Sequence, residues 1–322
     1  MHPMKHPALA VAALVAALTL PRFSALAETS SHDFEAYSAG TIHNQDGWLS
    51  AGSAGSGCAA YDHKVVVNAG APASFAARSL RMSNAVTSGC FGDQTFSKPL
   101  VDEAGETGAD GGALSGGARQ ATFEAQWDFA TTVPAMEQAG LSVVASPDRG
   151  DGARMSWVQM ADTPSGLAVN FNDFQAAPGS TCATAVGFVA TNVASGLDRG
   201  APHTIKLHMQ FIDGPANDIV KVYVDGSLAH TGTSWEEYFR LCEGNPTRTV
   251  DSVLFRTAGA AAPATAGKGF RIDNLGLTSG PLLVGPPTNK DQCKDGGWSS
   301  FNNPVFANQG DCVSFVTGKH KP

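Results

Sequence analysis

The stretch FEAQWDF, Phe123–Phe129, decides the reading of the chain. Phe123, Ala125, Trp127 and Phe129 alternate with Glu124, Gln126 and Asp128. A period of two places one set on each face of an extended strand, so a half-buried strand is expected. The same alternation returns in Ile205–Phe211, where Ile205, Leu207, Met209 and Phe211 are interleaved with Lys206, His208 and Gln210. It appears again in Val220, Val222 and Val224, spaced by Lys221 and Tyr223. This last run leads directly into Asp225-Gly226, a pair suited to positive φ at both centres of a two-residue hairpin turn.

Working outward, further strands are predicted at Lys64–Asn68, Ser79–Ser83, Leu141–Ala145, Arg154–Met160, Leu167–Phe171, Ala185–Ala190, Ser252–Arg256 and Phe270–Thr278. No long helical periodicity occurs. One short helix is expected at Trp235–Leu241, with Ser234 as cap and Glu237 completing a capping box. Many short strands without long helices define an all-β fold, an antiparallel sandwich or barrel. The Gly-rich, acidic stretch Asp102–Ala118 and the Ala/Gly/Pro-rich stretch Ala258–Gly269 are expected to be mobile loops. Ser279–Thr288, with Pro281, Pro286 and Pro287, is expected to act as a linker.

The first 27 residues have the form of a secretory signal peptide. Lys5 precedes the apolar run Ala8–Leu20, and Ala25-Leu26-Ala27 forms a small-x-small cleavage pattern. Cleavage near Ala27 would export the chain, and no later stretch is apolar enough for a membrane span. The expected organisation is a signal peptide at 1–27, a β-sandwich at 28–279, a linker at 280–288 and a C-terminal segment at 289–322. The net charge of −8 comes from 29 acidic and 21 basic residues, and no basic run occurs, so nucleic acid is not an expected partner. Six cysteines fit an oxidising compartment and three disulfides. Their spacing contains no zinc-type pattern. Cys293 and Cys312, set apart by the Pro-rich stretch, are expected to pair. Four remaining cysteines allow three connectivities, of which proximity favours Cys58–Cys90 and Cys182–Cys242.

Three stretches carry a family resemblance. They are DFEAYSAGTIHNQDGW (Asp33–Trp48), NDIVKVYVDGSLAHTGTSWEEYF (Asn217–Phe239) and DSVLFRTAG…GFRIDNLGL (Asp251–Leu277). Together they resemble secreted bacterial concanavalin A-like, or laminin-G-like, jelly-roll proteins. The resemblance implies a two-sheet antiparallel jelly-roll sandwich over about Asp33–Thr278 and points toward sugar binding. The tail, KDQCKDGGW (Lys290–Trp298) followed by FANQGDCV (Phe306–Val313), is similar to a two-cysteine segment that closes many secreted bacterial proteins. That similarity implies no activity. The tail would be a separate attachment module or a flap over a sheet edge, with Trp298, Phe301, Val305, Phe306, Val313 and Phe315 as its small apolar cluster.

Candidate functional residues follow from this frame. Glu124, Gln126 and Asp128 would share one strand face and could hold sugar hydroxyls. The row resembles the acid triplet of jelly-roll glucanases, but Gln126 stands where the middle acid would be, and Asp128 is shorter than Glu. Trp235 could stack on a sugar ring, or pack as a lid. Glu35 and Asp273 would face each other if the first and last strands run side by side. They could then share a structural calcium, with Asp33 and Asn274 adding oxygens. No nucleophile elbow or phosphate-cradling loop is present. The expected function is a secreted, non-catalytic β-sandwich that binds a glycan or cell-surface polysaccharide. The alternatives are a polysaccharide-cleaving glycoside hydrolase using Glu124 and Asp128, and a structural envelope or matrix protein.

Overall fold

In a computed structural model the described residues are 27–50, 61–86, 94–112, 116–257, 259–294, 296–301 and 303–318. The expected signal peptide and the Cys58–Cys90 pairing lie outside them. The architecture is a two-sheet antiparallel jelly-roll sandwich. One sheet runs, in spatial order, β15 (Ser227–Gly232), β14 (Ile219–Val224), β13 (His203–Gln210), β8 (Thr122–Thr131), β17 (Phe270–Gly280), β4 (Arg78–Ser83) and β3 (Asp62–Val67), with β1 (Glu28–His32) also paired to β17. The other runs β12 (Gly187–Leu197), β11 (Gly166–Gln175), β10 (Trp157–Thr163), β9 (Ser142–Asp148), β16 (Ser252–Thr257), β5 (Gln94–Phe96) and β2 (Leu49–Ser50). Two short parallel strands, β6 (Glu103–Ala104) and β7 (Arg119–Gln120), lie apart from both.

The alternation read from Phe123–Phe129 is what builds the core. Phe123, Ala125, Trp127 and Phe129 are fully buried, and Ile205, Leu207 and Met209 face inward beside them, since β8 and β13 pair Trp127 with Ile205 and Ala125 with Leu207. Val220 and Val222 continue the layer through the β13–β14 pairing. The opposite sheet contributes Val143, Ala145, Val158, Met160, Val169, Phe171 and Phe255. Trp127 packs edge-on against Phe255, and its indole N–H donates to the Met160 sulfur at 3.4 Å, so a large aromatic is buried with its one polar group satisfied. The opening DFE…GW stretch supplies Phe34, Tyr37, Ile42 and Trp48 to the same core.

Two local expectations need correction. The helix after β15 is a short turn that becomes π-helical at Tyr238–Glu243, and no capping box forms. Ser234 Oγ does accept from Glu236 N at 3.0 Å, but Glu237 accepts from Ala216 N at 3.1 Å instead of reaching back to Ser234. A tertiary partner has taken the carboxylate the local motif would use. The Asp102–Ala118 stretch carries β6, and Glu103 and Glu106 within it are buried.

Cys182–Cys242 ties the segment before β12 to the π-helical turn, and Cys293–Cys312 staples the tail. The tail folds as short turns at Asp291–Cys293 and Gly297–Ser300 plus α1 (Gln309–Val316), capped by Asn308, whose side chain accepts from Asp311 N at 3.0 Å. Its apolar cluster of Cys293, Phe306, Cys312, Trp298, Phe301, Val313, Phe315 and Val316 is distinct from that of the sandwich. Val305, expected in it, is 69% exposed. Among the described residues no helix is long and apolar enough to cross a membrane.

Candidate functional site

The outward side chains of β9, β10, β11 and β12 carry a connected row of hydrogen-bonded polar groups. Asn192 Nδ2 donates to Asn170 Oδ1 at 2.9 Å, Asn170 Nδ2 to Gln159 Oε1 at 3.1 Å, and Gln159 Nε2 to Ser142 Oγ at 2.6 Å. Register explains this ladder. Asn192, Asn170 and Gln159 are direct cross-strand neighbours, and the row continues through Val144 to Arg256 and Gln94. Amides held by one another keep fixed orientations while leaving donors and acceptors for a ligand.

The next row along these strands opens into a cavity of about 440 Å³ lined by Arg154, Trp157, Asn172, Phe188, Trp235 and Arg256, with Thr257 and Gly259 at its edge. Its wall is aromatic. Trp157 and Trp235 have ring centroids 5.8 Å apart, and Phe188 packs on Trp235 at 4.6 Å. The Arg154 guanidinium lies 5.9 Å from both indole rings. Trp235 is nearly buried and is fixed by an indole N–H bond to the Asn172 carbonyl at 3.1 Å, whereas Phe188 is 48% exposed. The Cys182–Cys242 bond braces this wall from behind, because it holds the turn that carries Tyr238, whose ring contacts both Phe188 and Trp235.

The other sequence-derived ligand residues lie elsewhere. Glu124, Gln126 and Asp128 are on the outer face of the first sheet, so the structure does not bring them together with Trp235. Glu124 meets Lys206 and His208, each at 3.4 Å, and the His208 contact followed by the Lys206 charge keeps its carboxyl below the usual range despite partial burial. Asp128 accepts from Thr204 Oγ1 at 2.5 Å and from Asn274 Nδ2 at 2.8 Å. Gln126 is exposed between them.

Asp273 is buried at 1% exposure, and burial pushes its carboxyl up to about 7, with the charges of Glu35, Asp33 and Asp128 adding to the effect. It accepts from Asn274 N at 2.8 Å, at a bulge where the β17–β8 register shifts. Glu35 Oε1 accepts from Arg78 N at 2.7 Å. The four acids are thus near enough to repel.

Sequence reasoning missed Trp157, Asn170, Gln159, Asn192, Arg154 and Arg256. Their polar members alternate with apolar residues just as a solvated strand face does, and no local signal separates the two cases.

No protein-family model matches the chain, and no curated protein is significantly similar to it. Among solved structures it is similar to the alginate lyase Aly36B, with 12% identity and a TM-score of 0.44, covering 79% of this chain and 97% of the lyase. It is also similar to the winged bean acidic lectin complexed with methyl-alpha-D-galactose, with 13% identity and a TM-score of 0.35, covering 79% of this chain and 99% of the lectin. A third is the carbohydrate recognition domain of Emp46p in a potassium-bound form, with 13% identity and a TM-score of 0.31, covering 57% of this chain and 76% of that domain. At these identities and scores the likeness says nothing about activity.

Proposed function

We propose that the protein binds carbohydrate in the cavity between Trp157, Phe188 and Arg256, without cleaving it. The observation that supports this most is the pairing of an accessible aromatic wall with a buttressed amide ladder on adjoining rows of one sheet. Aromatic faces receive the apolar C–H side of a sugar ring, and oriented amides meet its hydroxyls. Arg154 and Arg256 line the same cavity, and no carboxylate is among its described lining residues. Guanidinium groups in the lining suit a glycan carrying carboxylates, such as a uronate polymer.

The test is an oligosaccharide array with neutral and uronate arms, followed by titration of the best binder. Trp157→Ala and Asn170→Ala should each weaken binding about tenfold or more, the equivalent of 1.4 kcal/mol. Equal binding by wild type and both variants would remove this site. The row Glu124, Gln126 and Asp128 is the competing proposal, as binding surface or as the seat of hydrolysis. Each acid there is already engaged by protein donors. Glu124→Ala should leave affinity unchanged, and reducing ends should not accumulate. Release of reducing sugar that disappears in Glu124→Gln would transfer the function to that face. Calcium at Glu35 and Asp273 stays a structural proposal, checked by whether Asp273→Asn abolishes a calcium-induced rise in Tm.

A further inference from the structure

Three carboxylates from distant parts of the chain meet away from both faces discussed above. Glu106 comes from the loop after β6, Asp218 immediately precedes β14, and Glu236 follows β15. One oxygen from each lies within 4.8 Å of the others, and their exposures are 6%, 4% and 1%. The 212–218 loop wraps around them with its amides pointing inward. Ile212 N donates to Asp218 Oδ1 at 3.0 Å, Gly214 N to Glu106 Oε2 at 3.2 Å, and Asn217 N to Glu236 Oε1 at 2.7 Å. Ser234 Oγ donates to Asp218 Oδ2 at 2.6 Å.

These donors do not saturate the cluster. Glu106 Oε1 and Glu236 Oε2 are buried with no donor. A buried carboxylate oxygen without a partner is costly, and orphan oxygens on two converging acids point to a group that is shared between them. The local charge argues the same way. Arg240 is the guanidinium that pairs with Glu106, and it also lies 3.7 Å from Glu237, so among the described residues its charge is shared between the cluster and a further acid.

We infer that Glu106, Asp218 and Glu236 form a calcium-binding site. The donors are all oxygens, without the histidine or thiolate that zinc prefers. Oxygens at 2.3–2.6 Å from a calcium ion can be separated by up to about 5 Å, so three oxygens of this spacing can share one. Magnesium demands a tighter octahedron at about 2.1 Å, which a wide, carboxylate-only cluster satisfies less well. The ion would lock the 212–218 loop to the turn after β15.

Two measurements on the full chain test this, with calcium chloride as the probe. Calorimetric titration of chelator-treated protein should show Asp218→Asn/Glu236→Gln binding one calcium fewer per chain than wild type. Hydrogen exchange on wild type alone should slow in calcium chloride at the amides of Ile212, Gly214 and Asn217, which covers the case where the double variant fails to fold. No calcium uptake by wild type, or unchanged stoichiometry in a folded double variant, would overturn the inference. So would unaltered exchange in that loop, the result expected if Asp218 and Glu236 share a proton instead. Equal protection by magnesium chloride at the same concentration would overturn the choice of calcium.

Discussion

Asp251 is fully buried, and neither of its carboxylate oxygens accepts a hydrogen bond. Burial pushes it up to about 7, with Glu103, Asp148 and Asp151 adding repulsion. Asp62 has the opposite fate. Burial works to raise it, yet Arg81 at 2.8 Å, Ser83 at 2.7 Å and Gly267 N at 2.9 Å all donate to it and hold it well below the usual carboxylate range. The two acids act on stability with opposite signs. Asp62, depressed in the fold, stabilises above about pH 4, and that contribution is lost as the pH falls toward its folded value. Asp251, raised in the fold, costs little below about pH 4, and its penalty grows as the pH rises to about 7. Asp251→Asn should therefore stabilise the protein by on the order of 2–4 kcal/mol at pH 8 and by little at pH 4. Urea denaturation of both proteins at the two pH values checks this, and a gain that does not change with pH would mean that packing, not charge, sets the cost.

Elements hold their places through a few points that tolerate no change. Gly269, at the entry to β17, has φ +102°, and a Cβ there would meet the Met82 carbonyl oxygen at 2.0 Å. Both its conformation and its contact exclude other residues, so Gly269→Ala should destabilise by about 3 kcal/mol or more, measurable as a lower denaturant midpoint. The Cys182–Cys242 bond closes a separation of 60 residues, for which chain entropy gives about 4 kcal/mol. The double Ser variant should lose about that much and also bind glycan more weakly, because Phe188 and Trp235 lose their brace; unchanged affinity would show that the wall stands without it. At this scale the fold was largely legible from sequence. Strands such as Phe123–Phe129 and Ile205–Phe211 declare themselves by period two, and Asp225-Gly226 marks the β14–β15 turn. The strands that escaped, such as β1, β2, β5, β6 and β7, are short and polar or lack alternation. They exist because a neighbouring edge accepts them, which is a tertiary cause. The turn expected as a capped helix at Trp235–Leu241 is there but π-helical at Tyr238–Glu243, and its capping box is lost to a tertiary contact, Ala216 N donating to Glu237.

Across the whole molecule, sites arise from register and loop closure that no local motif encodes. The amide ladder needs Asn192, Asn170 and Gln159 in register on three strands. The acidic cluster joins residue 106 to residues 218 and 236. Glu35 and Asp273 were proposed together from strand order alone, and the pairing of β1 with β17 does bring the chain's beginning beside its end. The tail poses the last question at this scale. Its apolar cluster is separate from the core of the sandwich, and it has its own staple across 19 residues, for which chain entropy gives about 3 kcal/mol. So small a cluster depends on that staple, whereas a sandwich with so extensive a core does not depend on the tail. A chain ending at Thr288 should melt within about 2 °C of the full-length protein, a shift that corresponds to less than 1 kcal/mol at this size. Cys293→Ser/Cys312→Ser should leave that Tm equally unmoved while making the segment after Asn289 the first place a protease cuts. Loss of the Cys182–Cys242 bond, by contrast, should lower Tm by about 8–16 °C. If truncation at Thr288 instead lowers Tm by that much, the tail covers part of the sandwich and is not an independent attachment module.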